Sequence, residues 1–213
     1  MIEELFLIRH GESRHLAEDM TGGWTDTHLT ERGIAQANAV ADRLQVLLEK
    51  QEFSIFSSDL LRASETAEII ASRFKSDITY LKSLRELNNG VGANLSNDDA
   101  RKIMNPPTQP LEDWISFDGA ESWNMLYDRA TVALQQILAK ERKRAVVISH
   151  GNTLRCLISS WLGFALEDGI RYDLHTCNIT WLRVNRLGQK TIRKLNECGH
   201  LAVLDLENIN QYH

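Results

Sequence analysis

The stretch Leu5-Phe6-Leu7-Ile8-Arg9-His10-Gly11-Glu12 decides the fold, because an uninterrupted apolar run leads directly into a charged pair and a glycine turn. A run without alternating polar residues is typical of a central parallel strand that is covered on both faces. Open α/β sheets bind ligands at the carboxyl ends of such strands. The pattern therefore predicts that Arg9 and His10 lie where a ligand docks.

Arg9 and His10 also indicate a chemistry. A neutral imidazole nitrogen can attack phosphorus, and an adjacent guanidinium disfavours protonation of the ring while it neutralises charge on a bound phosphoryl group. Arg-His-Gly alone is a weak signal, because it can end any strand. Two further segments strengthen this signal. Residues 57–67 follow the apolar run of residues 53–56 and open a helical pattern. Residues 145–155 pass from an apolar strand pattern through Ser149-His150-Gly151 into another helical pattern.

Together these segments resemble the histidine phosphatase superfamily, which includes the cofactor-dependent phosphoglycerate mutases and many small phosphomonoesterases. The resemblance implies that His10 is the nucleophile and that Arg9 and Arg62 bind the phosphate. It further implies that His150 is a second histidine of the pocket and that Glu86, within a Leu-x-Glu segment, is the general acid. The resemblance also covers residues 23–26, 29–33 and 119–122.

One position departs from the family pattern. Members commonly carry an asparagine six residues after the nucleophile, where its amide helps to hold the phosphate, whereas this chain has Leu16. Loss of one amide hydrogen bond to an anion costs about 1.5–3 kcal/mol, which slows catalysis but leaves a pocket with two arginines functional. His15, Arg14 and the backbone of residues 21–23 are the candidates to replace the missing donor.

The apolar spacing predicts alternating strands and helices. This order requires crossover connections and predicts a three-layer α/β/α sandwich with a mostly parallel central sheet, which the resemblance identifies as phosphoglycerate mutase-like. The predicted helices span residues 34–48, 60–74, 122–140 and 152–162, and the predicted strands span residues 4–9, 53–57, 144–149, 178–184 and 191–195.

Residues 88–118 contain all three prolines and repeated Asn and Asp, and they are predicted to cover the site. Trp114, Phe117 and Trp123 are candidate apolar walls for the leaving group. The alternative is a long surface excursion whose aromatic side chains anchor it to the core. The motifs interlock along the chain, so we expect one domain over residues 1–213.

Composition excludes several classes of protein. A net charge of -5 provides no basic field for nucleic acid, and 43% hydrophobic residues allow a substantial core. No apolar stretch approaches the ~20 residues that cross a bilayer, and the first residues lack the basic start of a signal peptide. We therefore expect a cytoplasmic protein that binds a small phosphorylated metabolite rather than nucleic acid or membrane. The oligomeric state, a homo-oligomer included, stays open.

Neither a disulfide framework nor a metal site is indicated. Cys156, Cys177 and Cys198 are odd in number and widely spaced, which predicts free thiols. The histidines form no His-Glu-x-x-His pattern. We expect metal-independent chemistry and no cofactor.

Backbone and neighbouring side chains add candidates to the pocket. A helix that begins after His150 would aim the N–H groups of Gly151 and Asn152 at a phosphate. Ser13 and Trp24 are candidate substrate-binding residues, although turn or packing roles explain them equally well.

The assignment of the general acid has competitors. An acidic residue at the end of a strand commonly faces solvent, so Glu12 and Asp26 compete with Glu86 for the role. Arg62 has an alternative as well, because an isolated helical arginine is usually solvated.

The sequence thus predicts a phosphomonoester hydrolase that acts through phosphohistidine on His10, with Glu86 as acid and then base. Phosphoglycerate mutase-type transfer is an alternative. The mutases of the family carry extra basic residues in the cover, whereas residues 88–118 contain only Arg101 and Lys102, so hydrolysis is favoured. A catalytically weak phosphate-sensing or partner-binding protein is the other alternative, because Leu16 replaces the usual amide.

Overall fold

Six strands form one sheet in the part of the chain that the computed structural model describes, residues 2–49 and 51–204 without the side chain of Val203. In chain order the strands are β1 (Glu4–Arg9), β2 (Ser54–Ser57), β3 (Ile78–Tyr80), β4 (Arg144–Ser149), β5 (Ile179–Val184) and β6 (Lys190–Glu197). Their spatial order is β3-β2-β4-β1-β5-β6. The first four are mutually parallel, and β5 runs antiparallel to both β1 and β6. The predicted mostly parallel sheet is confirmed.

Four helices cover the two faces of the sheet: α2 (Glu31–Leu48), α3 (Leu61–Phe74), α5 (Trp123–Leu138) and α6 (Gly151–Leu162). Two short helices, α1 (Arg14–Ala17) and α4 (Asn97–Ile103), lie outside these layers. Side chains of β1 alternate between two apolar clusters: Phe6 and Ile8 pack with α2 and α3, whereas Leu5 and Leu7 pack with α5 and α6. Burial on both faces explains why this strand has no polar alternation.

The central pair of strands delivers two histidines to one edge of the sheet. Arg9 is the register partner of Ser149, so β1 and β4 end side by side. The backbone N–H of His10 donates to the carbonyl of Ser149 at 3.0 Å. His10 and His150 therefore leave neighbouring strands at the same edge.

The first turn of α2 packs tightly against the chain that leaves β1. A Cβ atom on Gly33 would lie 1.9 Å from the carbonyl oxygen of Glu12, so only glycine permits this approach. Thr30 caps α2 by accepting a hydrogen bond from the N–H of Gly33 at 3.0 Å. Residues 29–33 thus fix how α2 meets the turn after the predicted nucleophile.

Some elements differ from the sequence-based expectation. The last strand spans Lys190–Glu197 and is longer than predicted, while β3, α1 and α4 were not predicted. These three elements are short, at 3, 4 and 7 residues, so none repeats its apolar period often enough to be recognised in the sequence. No helix in the described ranges is long and apolar enough to cross a bilayer.

Candidate active site

His10 is buried at the end of β1, with 2% of its surface exposed. Its Nδ1 donates to the carbonyl of Gly11 at 2.7 Å, and its Nε2 accepts from Nε of Arg62 at 3.1 Å. This pattern places the proton on Nδ1 and the lone pair on Nε2. Burial, together with Arg62 and Arg9, lowers the pKa of His10 well below its usual 6.5. The ring is therefore neutral, as a nucleophile requires.

Arg62 is held in the first turn of α3 and is 1% exposed. Its two terminal nitrogens donate to the carbonyls of Thr25 and Gly23, each at 2.7 Å. Burial lowers the pKa of Arg62 to about 10, an effect that the charges of Glu86 and Asp26 oppose, so the guanidinium remains charged. Each terminal nitrogen carries a second N–H for a ligand. The solvated-helix alternative for this arginine is wrong.

His150 lies beside the predicted nucleophile. The ring centroids of His10 and His150 are 5.1 Å apart, and Nε2 of His150 contacts the hydroxyl of Ser58 at 2.8 Å. Its Nδ1 is buried without a hydrogen-bond partner among the described residues. Burial, followed by the charge of Arg62, lowers the pKa of His150 well below 6.5. A second neutral imidazole thus borders the site.

His15 is a third imidazole of the site, at a position that the sequence offered only as one of three candidates. It is 3% exposed, and its ring centroid lies 6.1 Å from that of His10. Its Nδ1 contacts the hydroxyls of Ser13 at 2.9 Å and Thr27 at 3.3 Å. Burial, with Arg62 and Arg9 nearby, lowers the pKa of His15 to about 3.

Glu86 faces the start of α6. Its Oε2 accepts from the N–H of Asn152 at 3.1 Å, and its Oε1 accepts from the N–H of Thr153 at 3.2 Å and from that of Leu87 at 2.9 Å. The helix N-terminus therefore orients this carboxylate. Of the two N–H groups that the sequence assigned to the phosphate, that of Asn152 donates to the carboxylate of Glu86 instead, which corrects the prediction for Asn152.

A second set of contacts fixes the backbone of Glu86. Arg129 donates to the carbonyls of Arg85 and Glu86 at 2.8 and 3.1 Å, and its guanidinium pairs with Glu121. The indole N–H of Trp24 donates to the same Glu86 carbonyl at 2.9 Å. Glu121 and Trp24, from the segments 119–122 and 23–26, thus help to position Glu86.

Arg9 and Gly151 complete the inner end of the site. Arg9 donates from a terminal nitrogen to the carbonyl of Leu174 at 2.7 Å. A Cβ atom on Gly151 would lie 3.8 Å from Nε of Arg9 and 3.9 Å from Oε2 of Glu86. Gly151 therefore lies between the predicted phosphate-binding arginine and the predicted acid.

A cavity of about 370 Å³ opens onto the site, and two predicted site residues, His150 and Gly151, are not among the residues that line it. Its inner end is lined by Arg9, His10, His15, Arg62 and Glu86, and Asn152 lies on its border. Its outer end is formed by α1, by α4 and by residues 116–117. Part of the segment 88–118 thus lies over the site, where the sequence predicted a cover.

Three aromatic residues were predicted to form walls for the leaving group. Phe117 lines the cavity, and Trp114 and Trp123 do not. Trp123 begins α5 and lies under the guanidinium of Arg171, 5.7 Å from its ring centroid. Trp114 is likewise outside the set of cavity-lining residues. The anchoring interpretation is the better one for these two tryptophans.

Neither predicted substrate-binding side chain borders the cavity. Ser13 is fully buried and contacts His15, and Trp24 holds the carbonyl of Glu86. Both side chains therefore support residues that do line the cavity. Adjacency in sequence misled the interpretation, because neighbouring side chains point in different directions.

The two competing acids have other partners. Glu12 accepts a hydrogen bond from the hydroxyl of Thr30 at 2.7 Å. Asp26 accepts from the backbone N–H of Leu61 at 2.7 Å, at the start of α3. Glu86 is the carboxylate among these three that borders the cavity.

Cys156, Cys177 and Cys198 are free thiols, as predicted. Burial raises the pKa of Cys156 to about 12, so this residue beside the site is an unreactive thiol. Within residues 2–49 and 51–204, no three His, Cys, Asp or Glu side chains cluster in a way that would hold a metal ion.

Known proteins share both the sequence pattern and the fold. The family model of the histidine phosphatase superfamily (branch 1) matches residues 5–197. The probable phosphoglycerate mutase GpmB of Salmonella paratyphi C (strain RKS4594) is 35% identical over 188 residues, which cover 83% of each chain. Bacillus stearothermophilus YhfR has a TM-score of 0.78 and 26% identity, over 93% of this chain and 98% of that one.

A mycobacterial glucosyl-3-phosphoglycerate phosphatase shares the fold as well, with a TM-score of 0.78 and 22% identity over 92% of this chain and 100% of that one. The fold is that of the phosphatases and mutases whose sequence pattern this chain carries. The chain belongs to the histidine phosphatase superfamily.

Proposed function

We propose that this protein hydrolyses phosphomonoesters through a phosphohistidine formed on His10. The observation that carries the proposal is the buried, neutral imidazole whose Nε2 lone pair faces the guanidinium of Arg62. A phosphate dianion at the inner end of the cavity would meet Arg62 and Arg9, which spread compensating charge over its oxygens. His150 is fully buried beside His10 and does not line the cavity, so in this proposal the phosphate is held without it.

When the phosphate binds, Arg62 turns its Nε–H from Nε2 of His10 toward a phosphoryl oxygen, which frees the lone pair on Nε2. In the first step this lone pair attacks phosphorus, and the ester P–O bond breaks. Glu86, in its protonated form, gives its proton to the departing oxygen, which leaves as an alcohol. The Nδ1 proton remains hydrogen-bonded to Gly11 throughout.

In the second step water attacks the phosphorus of phosphohistidine. The carboxylate of Glu86 takes the proton of the water, and the P–N bond breaks. The electron pair of that bond returns to Nε2, so the neutral ring is restored and inorganic phosphate is released. One residue thus serves as acid and then as base.

His15 is the residue best placed to replace the missing asparagine. Its Nδ1 lies near two hydroxyl groups, each of which has a proton to donate. When Nδ1 accepts a hydrogen bond from one of these hydroxyls, the single ring hydrogen is on Nε2, where a neutral N–H can donate to a phosphoryl oxygen. In this account Ser13 is a positioning residue for His15.

Phosphoglycerate mutase activity is the second candidate, because the 35% identical relatives carry that name. Retention of a phosphorylated acceptor needs cations in the cover. Two basic residues are present there, Arg101 and Lys102, and each is exposed and paired with an aspartate three residues earlier. Hydrolysis is therefore the favoured outcome.

Steady-state release of phosphate from a panel of phosphomonoesters tests the proposal, with wild type compared with His10→Ala. We expect wild-type turnover without added metal and its loss in the variant. Phosphoglycerate with and without bisphosphoglycerate measures the mutase reaction in parallel. Unchanged turnover in His10→Ala would overturn the proposed function.

A further inference from the structure

The outer half of the cavity differs in character from its inner end. Apolar side chains from two segments line it: Leu16 and Met20 in and after α1, and Ala100, Met104 and Phe117 in and after α4. Met20 pairs with Ser96, just before α4, so the two segments adjoin. A leaving group bound through its phosphate would extend along these apolar side chains.

Cationic groups are scarce in this outer half. Among the described residues that line the cavity, Arg101 is the one basic residue besides Arg9 and Arg62. Its side chain is 68% exposed and pairs with Asp98 at 2.6 Å. A second anionic group on the substrate would therefore find no unpaired cation here.

The amide side chains of the outer half have partners within the protein. Asn97 donates to Asp19 at 2.6 Å. Asn89 donates to the carbonyl of Gly22 at 3.2 Å and accepts from the N–H of Trp24 at 3.0 Å. These contacts tie the cover to the segment around α1, and each amide nitrogen keeps one further N–H that can donate to a neutral polar group of a ligand.

We infer that the natural substrate is the phosphate monoester of an uncharged, largely apolar alcohol or phenol. This inference rests on the proposed function and specifies the leaving group. A carboxylate beside Leu16, Met104 and Phe117 would lose part of its hydration and would find no unpaired Lys or Arg among the described residues there, which disfavours it. Apolar carbon in the same place gains from burial. The cavity of about 370 Å³ suits a small molecule.

A matched pair of esters tests the inference. Phenyl phosphate and 4-carboxyphenyl phosphate differ by one carboxylate remote from the phosphate. The ratio of their kcat/KM values therefore measures how well the outer half of the cavity accepts a negative charge. We expect wild type to prefer phenyl phosphate by about tenfold or more, as befits a desolvated charge without a partner. Equal use of the two esters, or preference for the carboxylate, would overturn the inference.

Two substitutions on α4 and its end locate the effect. Met104→Lys places a cation in the wall at a position that is 40% exposed, and it should narrow the preference about three- to fivefold, as a partly exposed ion pair would. Ile103→Lys is the control, because Ile103 is similarly exposed at 48% and does not line the cavity. An equal change in both variants would contradict a role for this wall.

Phosphonates separate this inference from the hydrolysis proposal. Benzylphosphonate and 4-carboxybenzylphosphonate have no ester oxygen to cleave, so calorimetric titration of wild type measures recognition alone. Tighter binding of benzylphosphonate without turnover of any ester would support the leaving-group inference and contradict hydrolysis. If esters are turned over but the two phosphonates bind equally well, or the carboxylated one binds more tightly, hydrolysis is supported and the leaving-group inference is overturned.

Discussion

His15 and Leu16 occupy one wall of the cavity, and the pair shows how one residue changes the way a phosphate is held. Leu16 has no donor, whereas His15 presents a buried neutral ring. An asparagine at position 16 and a histidine at position 15 would then be alternative ways to supply one neutral N–H.

This alternative predicts compensation. His15→Ala should lower kcat/KM by about 10- to 150-fold, because it removes one hydrogen bond worth about 1.5–3 kcal/mol to an anion. Adding Leu16→Asn to His15→Ala should restore most of the loss. The inhibition constant of inorganic phosphate should follow the same order, which a purely structural effect would not produce.

Leu16→Asn in the wild-type background is the matched control, and it should change kcat/KM little because His15 already supplies the donor. Thermal unfolding of each variant separates lost stability from lost binding. A double variant no more active than His15→Ala would contradict the assignment.

Among single residues, the sequence identified site residues that lie at the ends of strands or in the first turns of helices. Arg9, His10 and His150 follow apolar runs, and parallel strands bring such ends together. The sequence could not decide between substrate-binding and packing roles for Ser13 and Trp24, because the direction in which a side chain points changes at every residue of an irregular segment. Burial and partners decide direction there, and both depend on chain that is distant in sequence.

Among the helices, α3 depends on a distant residue for its start. Its N-cap, Leu60, has no side-chain acceptor, and Asp26 instead accepts from the N–H of Leu61 at 2.7 Å. Arg62 is the next residue, so the same contact holds the turn that carries the guanidinium. The charge of Asp26 also raises the pKa of Arg62, against the larger effect of burial.

We expect Asp26→Ala to reduce the free energy of unfolding by about 1 kcal/mol, the usual value of a helix cap. It should also reduce kcat/KM several-fold, because Arg62 loses its support. Asp168→Ala is the matched control: its carboxylate likewise accepts from a backbone N–H, that of Ala165 at 2.9 Å, and neither residue lines the cavity. Urea unfolding and steady-state kinetics measure both quantities, and equal kinetic effects in the two variants would contradict the account.

Long elements with clear periodicity were predictable, whereas their connections were not. The apolar runs of β1 and β4 and the stripes of α2, α3, α5 and α6 are strong local signals. In contrast, the amides that begin α6 meet Glu86, a carboxylate more than sixty residues earlier. Such long-range partners have no local pattern, so the sequence assigned those amides to the phosphate.

The whole molecule maintains three neutral imidazoles beside two arginines. Burial is the largest cause that lowers the pKa values of His10, His15 and His150. In the unfolded chain each would titrate near 6.5. Between that value and the lower folded-state values, the unfolded chain binds more protons, so acid favours unfolding.

The contribution of these three histidines to the free energy of unfolding should therefore be fully present above about pH 7, and it should fall as the pH drops below about 6.5. Each imidazole that stays neutral in the folded protein adds a slope of about 1.4 kcal/mol per pH unit. Urea unfolding at pH 7.5, 6.0 and 5.5 measures this slope, and His15→Asn should reduce it by one such increment. A free energy of unfolding that is constant across this range would contradict neutral burial.

The central claim is that His10 carries the phosphoryl group, and Glu86→Gln exposes it by removing the base of the second step. This variant is mixed with 4-nitrophenyl phosphate, whose leaving group needs little acid assistance, and is quenched at alkaline pH for peptide mass spectrometry. The account predicts a burst of about one nitrophenolate per protein molecule, with an acid-labile phosphate on the peptide that contains His10. Steady turnover with no phosphate on His10, or with phosphate on another residue, would contradict it.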